Sequence, residues 1–297
     1  MTGCDLGSNT IRIVQIDCRS KKRINEFERI VKTGKNLQKT GLISEESIQN
    51  ILNALKDASK IINFESDKTK CVATQALRVA KNSAKVLKII KERCGLNFEI
   101  IDGVLEARYT ILGVKTSLKN MGIKGDNFAI FDLGGGSTEL SYVKDNNIST
   151  KSFPFGILNV YERYEQNLLS GIKEELKPLV RFSKKHKKPD FLIATAGTPT
   201  TVCAFLQDMD YKHYNHEKVN GKTLHVEDFK KAYDMILSMS RSEQERYCGT
   251  GRSELIKTGI LIVTNLMKEI GFDESIVIDD GLREGVALSM CKEGGEV

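Results

Sequence analysis

Two short segments of the sequence have the residues expected of a phosphate-binding turn. Asp-Leu-Gly at 5–7 continues into Ser8, Asn9 and Thr10, and Asp-Leu-Gly at 132–134 continues into glycine and hydroxyl residues. Glycine lets backbone N–H groups approach an anion closely, and hydroxyl and amide side chains add donors. One such turn alone is equally typical of a hairpin, but its repetition favours phosphate binding. The predicted phosphate-binding residues are Gly7, Ser8, Asn9, Thr10, Gly134, Gly135, Gly136, Ser137 and Thr138.

Carboxylates stand beside both turns. Asp5 and Asp132 are predicted to end adjacent strands, and Glu139 directly follows the second turn. A hard cation bound by carboxylates and water bridges readily to phosphate oxygens. We therefore expect Asp5, Asp132 and Glu139 to lie near a metal ion.

Further candidate groups follow predicted strands. Gly197 and Thr198, and separately the Asp-Gly pair at 280–281, could open onto the same crevice. Arg78 follows a buried strand, where a guanidinium could grip phosphate with two hydrogen bonds. Glu106 stands near the start of a helix, so it either orients a water molecule or simply complements the helix dipole. The residues alone leave both roles of Glu106 open.

The elements that must position these residues alternate between strand and helix. Strands are predicted at 3–6, 11–16, 71–74, 98–101, 128–133, 138–143, 191–195 and 275–279, with a hairpin-like turn at 219–222. Helices are predicted from Ser44 as N-cap, with apolar residues up to Ile62 on one face, and at 86–93, 105–118, 158–164, 173–185, 226–239 and 254–269. The repeated strand–turn–strand pattern indicates an internal duplication. We expect lobes at 1–118 and 119–283, with a terminal helix at about 284–297 that packs back on the first lobe.

Composition narrows the class of protein. The 297 residues, 40% hydrophobic with four prolines, are typical of a folded α/β protein with two domains. No apolar segment is long enough to span a bilayer and no secretory leader is evident, which predicts a cytoplasmic protein. The seven cysteines are scattered, so we expect reduced thiols without a disulfide framework or a zinc site. The net charge of +6 includes a basic run at 184–188, which is either a solvated surface or an attractor of polyanions.

Five sequence blocks together resemble the exopolyphosphatase/guanosine pentaphosphate phosphohydrolase (Ppx/GppA) family. They are GCDLGSNT at 3–10, ATQALRVAKN at 73–82, DGVLEAR at 102–108, DLGGGSTEL at 132–140 and DGLREG at 280–285, in family order and at family spacing. The resemblance implies an α/β, two-lobed actin-like fold, shared with sugar kinases and chaperone ATPases. Its duplicated domains each have a central mixed sheet flanked by helices, with an interdomain active-site cleft. The chain resembles the short, two-domain form, since it ends before the C-terminal helical region of many members.

The resemblance also assigns roles to the candidate residues. Glu106 would be the catalytic base, Glu139 its acidic companion, Arg78 a phosphate clamp, and Asp5 and Asp132 neighbours of Mg²⁺, while Gly197 and Thr198 join the phosphate-binding turns. The sequence departs from the family at 251–254, where Ser-Glu replaces a common Ala-Asp, and at Val104-Leu105, which leaves one fewer acid beside Glu106.

The expected activity is hydrolysis of the terminal phosphoanhydride bond of inorganic polyphosphate, with pppGpp, which yields ppGpp, as the alternative substrate. A small-molecule kinase would need an acceptor pocket with its own base, and none is evident. A non-catalytic sensor of the alarmone would not need Glu106. We expect no nucleic-acid or membrane partner, and a homodimer is a candidate assembly.

Overall fold

The structure, a computed structural model, describes residues 1–145 and 147–291. The strands are β1 (Thr2–Leu6), β2 (Thr10–Ile16), β3 (Arg23–Ile30), β4 (Thr69–Ala73), β5 (Phe98–Ile100), β6 (Asn127–Leu133), β7 (Thr138–Lys144), β8 (Asn147–Phe153), β9 (Phe191–Thr195), β10 (Lys222–His225) and β11 (Glu274–Val277). The helices are α1 (Leu37–Thr40), α2 (Glu45–Ala58), α3 (Gln75–Val79), α4 (Ser83–Cys94), α5 (Gly103–Asn120), α6 (Ile157–Tyr164), α7 (Leu168–Ser183), α8 (Gly197–Phe205), α9 (His216–Val219), α10 (Val226–Ser238), α11 (Arg241–Cys248), α12 (Ser253–Ile270) and α13 (Leu282–Leu288).

The chain forms two compact units, each with one mixed sheet flanked by helices. The first unit comprises Met1–Thr116 and the chain from Asp280 onward, and the second comprises Ser117–Asp279. The first sheet has the strand order β3-β2-β1-β4-β5, and the second has β10-β11-β9-β6-β7-β8. In both, three antiparallel strands in chain order are followed by two parallel strands joined through helices, and the second sheet adds β10, which is antiparallel to β11. The same topology twice is the predicted duplication, and the α/β class with mixed sheets is confirmed.

Register fixes which strand ends meet within each unit. Leu6 at the end of β1 is paired with Ala73 at the end of β4, and Ala73 with Ile100 at the end of β5. In the second unit Asp132 of β6 is paired with Thr195 of β9. Carboxyl ends of parallel neighbours therefore lie at one edge of each sheet.

Local signals explain several helix boundaries. The Ser44 side chain accepts a hydrogen bond from the Ser47 amide at 3.1 Å, so α2 begins at the predicted N-cap. Ile48, Ile51 and Leu55 of α2 are buried. The helix ends at Ala58, however, so Ile62 lies beyond it and the predicted face was too long.

Glycine ends α4 and α12 where the sequence predicted. Gly95 and Gly271 have φ of 72° and 80°, a left-handed conformation that glycine adopts without steric cost. The predicted hairpin at 219–222 was wrong, because Gly221 joins the end of α9 to the start of β10. Strands β3, β8 and β10 were not predicted. None of the described helices is long and apolar enough to cross a membrane.

The expectation of reduced thiols throughout was also wrong. Cys18 and Cys291 form a disulfide whose Cα atoms lie 5.4 Å apart across 273 residues of sequence. Scattered cysteines do not reveal such a pairing, because the two residues become neighbours only when the fold is complete. The other five cysteines are free thiols.

Helix α13 packs directly on backbone of the first unit. A Cβ on Gly3 of β1 would lie 2.2 Å from the Arg283 carbonyl oxygen, and one on Gly285 would lie 1.8 Å from the Tyr109 carbonyl oxygen. Only glycine allows these close approaches. The part of the predicted terminal helix beyond residue 291 lies outside the described residues.

Adding a methyl group at Gly3 should destabilise this packing. We expect Gly3→Ala to lower the free energy of unfolding by about 3 kcal/mol, because backbone rather than a flexible side chain must move. Gly95→Ala is the control, since no atom lies within 4 Å of its added Cβ and only the left-handed backbone conformation costs about 1 kcal/mol. Urea denaturation measures the free energy of unfolding of both variants. Equal losses would show that the close packing at Gly3 does not contribute to stability.

Candidate functional site

In the first unit, three parallel strands end beside one another, and a candidate residue follows each of them. The first turn follows β1, Arg78 lies on α3 after β4, and Glu106 lies on α5 after β5. The pairing of these strand ends brings Arg78 and Glu106 into contact, although 28 residues separate them in sequence.

The first turn directs its carbonyl groups into the protein. The Gly7 amide donates to the Thr10 carbonyl at 3.0 Å, the Ser8 carbonyl accepts from the Gly34 amide at 2.7 Å, and the Asn9 carbonyl accepts from two amides after β3. Within the described residues, no hydrogen bond uses the amides of Ser8 and Asn9. A turn whose carbonyls are satisfied internally while its amides are available is suited to an anion.

Arg78 and Glu106 form a largely buried ion pair. Arg78 Nη1 lies 2.7 Å from Glu106 Oε2, and the two side chains are 16% and 10% exposed. Nη1 also donates to the Ile101 carbonyl at 2.8 Å, and Nε donates to Gln75 Oε1 at 3.0 Å. Arg78 Nη2 is buried and has no hydrogen-bond partner among the described residues. The guanidinium is thus held in place, while one of its nitrogens has no hydrogen-bond partner among the described residues.

Asp102, and not Glu106, caps the N-terminus of α5. Asp102 Oδ1 accepts hydrogen bonds from the amides of Val104 and Leu105 at 3.0 and 2.8 Å. A capping aspartate satisfies the first amides of the helix. The Glu106 carboxylate instead reaches Arg78 on a neighbouring helix, which a role confined to the helix dipole does not explain.

Asp5 lies on β1 one residue before the end of the strand. It is paired across the sheet with Arg12 of β2, and Arg12 Nε forms an ion pair with Glu28 at 3.1 Å. Asp5 is half-buried at the same sheet edge as the first turn. Its carboxylate therefore belongs to a charged group of side chains within the first unit.

The second turn repeats the hydrogen bonding of the first. The Gly134 amide donates to the Ser137 carbonyl at 3.0 Å, and the carbonyls of Gly134 and Gly135 accept from amides at the start of α6. The Gly136 carbonyl accepts from Asn159 Nδ2 at 2.9 Å. In the described part of the chain, the amides of Gly135 and Gly136 donate no hydrogen bond. The duplicated sequence thus gives a duplicated pattern of backbone hydrogen bonds.

Two neighbours of the second turn were not found from the sequence. A Cβ on Gly156 would lie 2.5 Å from the Gly134 carbonyl oxygen, so this glycine allows α6 to touch the turn. Asn159 Oδ1 also accepts from the Gly156 amide at 2.6 Å. The sequence did not point to Gly156 and Asn159, because they become neighbours of the second turn only in the folded chain.

Asp132 and Glu139 are cross-strand partners in the second unit. They pair directly between β6 and β7, which puts both carboxylates on one face of the sheet. Glu139 is 3% exposed, and its Oε1 accepts a hydrogen bond from Ser152 of β8 at 2.6 Å. Ser152 was missed because β8 was missed. It holds the Glu139 carboxylate in one orientation.

The hydroxyl groups beside the second turn are largely engaged in the fold. Thr138 is fully buried and donates to the Phe155 carbonyl at 2.7 Å, and Ser137 is 3% exposed. The backbone of the turn, rather than the Thr138 hydroxyl, is available to a ligand.

The third predicted turn lies at the start of α8. Ala196 has φ 74° and ψ −173°, a conformation that side-chain-bearing residues rarely adopt. The Thr198 side chain is fully buried, and its hydroxyl would lie 2.1 Å from a Cβ on Gly259 of α12. The side chain of Thr198 therefore packs between helices, so any anion here would meet the backbone amides at the start of α8.

The carboxylates supply only part of a metal-binding site. No group of three or more potential ligands from His, Cys, Asp and Glu occurs among the described residues. Asp132 and Glu139 nevertheless supply two carboxylates on one face of a sheet. Mg²⁺ is commonly held by one or two carboxylates together with waters and substrate phosphates, so this donor set is compatible with it.

The basic run at 184–188 is divided between two environments. His186 stacks on Tyr142 with ring centroids 4.3 Å apart, and its Nε2 lies 2.8 Å from Ser149 Oγ. The four lysines around it are exposed. His186 therefore anchors the segment while the lysines face solvent.

Comparison with known proteins gives a consistent assignment. The family model described as the Ppx/GppA phosphatase family matches residues 12–293. Exopolyphosphatase 2 of Mycobacterium tuberculosis is 25% identical over 97% of this chain and 97% of its own length. The guanosine-5'-triphosphate,3'-diphosphate pyrophosphatase of Pseudoalteromonas atlantica is 29% identical over 97% of this chain, which spans 58% of that protein.

Two further similarities extend the assignment. A bifunctional 3-dehydroquinate synthase/phosphatase of Fusobacterium nucleatum is 27% identical over 96% of this chain, which spans only 45% of that protein. The crystal structure of the Aquifex aeolicus member of the Ppx/GppA family is 32% identical, with a TM-score of 0.74, over 100% of this chain and 98% of that one. The actin-like fold class implied by the sequence blocks is confirmed. With a model match over nearly its whole length, this chain belongs to the Ppx/GppA phosphatase family.

Proposed function

We propose that this phosphoanhydride hydrolase is an exopolyphosphatase, which releases the terminal phosphate of inorganic polyphosphate. The observation that carries the proposal is the Arg78–Glu106 pair, in which a fixed guanidinium with an available donor lies 2.7 Å from a buried carboxylate. An anion-binding donor beside a candidate base is what terminal phosphate hydrolysis requires.

Within each unit, phosphate groups would be bound mainly through backbone amides. The turns after β1 and β6 each direct their carbonyls inward and leave amides available, and Arg78 Nη2 adds a charged donor. Such donors are fixed before substrate arrives, so they stabilise developing negative charge without reorganising. Gly197 and the backbone of Thr198 would add amides at the start of α8.

Glu106 would act as the general base. Its carboxylate accepts a proton from a water molecule as the water oxygen bonds to the terminal phosphorus. The bond from that phosphorus to the bridging oxygen breaks, and its electron pair leaves with the shortened chain. Arg78 holds the Glu106 carboxylate in one orientation throughout.

Mg²⁺, when bound, would neutralise charge on the phosphate oxygens. Asp132 and Glu139 would hold it in the second unit, with Ser152 fixing Glu139. That Asp5, in the first unit, lies near a metal ion stays a prediction from the sequence.

Polyphosphate is proposed ahead of pppGpp because of similarity to an exopolyphosphatase. The mycobacterial exopolyphosphatase matches this chain over 97% of both lengths, whereas the chain spans 58% of the pppGpp-cleaving relative. The exposed lysines at 184–188 suit a polyanion but do not distinguish the two substrates. The pppGpp 5'-phosphohydrolase activity remains the second candidate, supported by that relative. A sensor without turnover would have no use for the Arg78–Glu106 pair.

Loss of the Glu106 charge should abolish most of the turnover. Glu106→Gln removes the proton acceptor, so we expect kcat for phosphate release from polyphosphate to fall at least about 100-fold. Glu99→Gln, at an exposed site on β5, is the matched control and should leave kcat unchanged. If Glu106→Gln kept the wild-type kcat, the base assignment would be wrong.

Substrate choice and metal dependence can be measured together. We expect phosphate release to be faster from long-chain polyphosphate than from pppGpp or ATP, and to disappear on treatment with EDTA and return with Mg²⁺. Faster release from pppGpp would replace the proposed substrate with the alternative. Full activity after EDTA would remove the metal from the proposal, and tight ppGpp binding without any release would indicate a sensor.

The Ser152 hydroxyl should matter through Glu139. Without this hydrogen bond the Glu139 carboxylate loses its fixed orientation, so Ser152→Ala should lower kcat roughly ten-fold or more. Because a hydrogen bond to a charged group contributes about 1.5–3 kcal/mol to stability, the melting temperature should fall as well. Ser149→Ala on the same strand is the control, because Ser149 contacts His186 instead. Equal kcat values in the two variants would show that Glu139 does not depend on Ser152.

A further inference from the structure

The disulfide of the first unit links the C-terminal ends of two elements. Cys18 follows β2, which ends at Ile16, and Cys291 follows α13, which ends at Leu288. Between them, Val14 and Ile16 of β2 pack against Ala287 and Leu288 of α13 in a buried cluster. The covalent bond therefore closes one end of a packed helix–strand contact.

The opposite ends of these elements carry candidate phosphate-binding segments. Thr10 of the first turn begins β2, and Gly281 precedes α13. Ion pairs hold this end of α13, with Arg23 Nη2 lying 2.6 Å from Asp280 and 3.2 Å from Glu284. Glu284 Oε2 also accepts from the Gly281 amide at 2.8 Å. Helix α13 is thus fixed by charge at one end and by the disulfide at the other.

Four of the five remaining thiols are poorly suited to exchange with this pair. Burial raises the pKa of Cys203 and of Cys248 to about 11, which leaves little reactive thiolate near neutral pH. Cys4 and Cys71 are neighbours on β1 and β4, but both are buried, and burial raises the pKa of Cys4 well above its usual value. Cys18, by contrast, is a half-buried residue in the turn after β2.

We propose that Cys18 and Cys291 form a reversible thiol–disulfide clasp that fixes α13 to the sheet of the first unit. In the oxidising direction, the Cys18 thiolate attacks a small-molecule disulfide such as oxidised glutathione and releases one thiolate. The Cys291 thiolate then attacks Cys18 Sγ and releases the second. Two protein thiols are oxidised to one disulfide, and one small-molecule disulfide is reduced to two thiols.

Closing the clasp should slow the opening of α13. A cross-link that spans 273 residues strongly restricts the unfolded chain. Reduction should leave the ion pairs and the apolar cluster in place, so α13 stays folded but opens more often. An effect of the disulfide on turnover would act through the segment at 280–281, so it rests on the proposed function. The effect on the opening of α13 does not rest on the proposed function.

The test uses the full chain equilibrated with oxidised glutathione or with dithiothreitol. We expect non-reducing peptide mapping to recover the Cys18–Cys291 linkage only in the oxidised sample. Amides of α13 should exchange hydrogen at least ten-fold more slowly when oxidised, and the melting temperature should rise by roughly 5 °C or more. The reduced wild type provides the open state without any mutation.

Variants separate the clasp from other thiol chemistry. Cys18→Ser should remove the redox difference in exchange and melting, and Cys94→Ser, at a half-buried free thiol, should preserve it. Absence of the linkage under oxidised glutathione, a Cys4–Cys71 linkage in its place, or equal exchange of α13 in both states would overturn the proposal. Hydrogen exchange is read without substrate, so failure of the proposed polyphosphatase activity would leave this result unaffected.

Discussion

The parallel pairing of strand ends is the constraint on which the candidate site depends. Leu6, Ala73 and Ile100 are register partners, so the segments after β1, β4 and β5 begin at one edge of the first sheet. Arg78 and Glu106 meet at that edge because α3 and α5 start there. The duplicated topology repeats the arrangement in the second unit, where the segments after β6 and β9 share an edge.

The two glycine turns share one pattern of backbone hydrogen bonding. In each turn a glycine amide donates the hydrogen bond that closes the turn, to the carbonyl of Thr10 in the first and of Ser137 in the second. Other carbonyls of the turns accept hydrogen bonds from neighbouring segments. The amides that remain are available to phosphate. Side-chain hydroxyls matter less than their residue types suggest, because those of Thr138 and Thr198 are buried in the fold.

The sequence predicted the repeated Asp-Leu-Gly turns, most helices and the sheet class, because these depend on local composition and periodicity. It could not predict the Arg78–Glu106 contact or the Ser152–Glu139 hydrogen bond, which arise only when separate strands pair. Strand β8 was missed because its exposed polar residues obscure the alternation of buried positions. The Cys18–Cys291 bond was missed for a related reason, since cysteine pairing follows from the closed fold and not from spacing.

The central claim is that water, activated by Glu106, attacks the terminal phosphorus of the chain. The most direct measurement is a single turnover of tripolyphosphate in water enriched in the heavy oxygen isotope, followed by mass analysis of both products. Attack of water on the terminal phosphorus puts one heavy oxygen in the released phosphate and none in the remaining diphosphate. Heavy oxygen in the diphosphate, or in neither product, would contradict it.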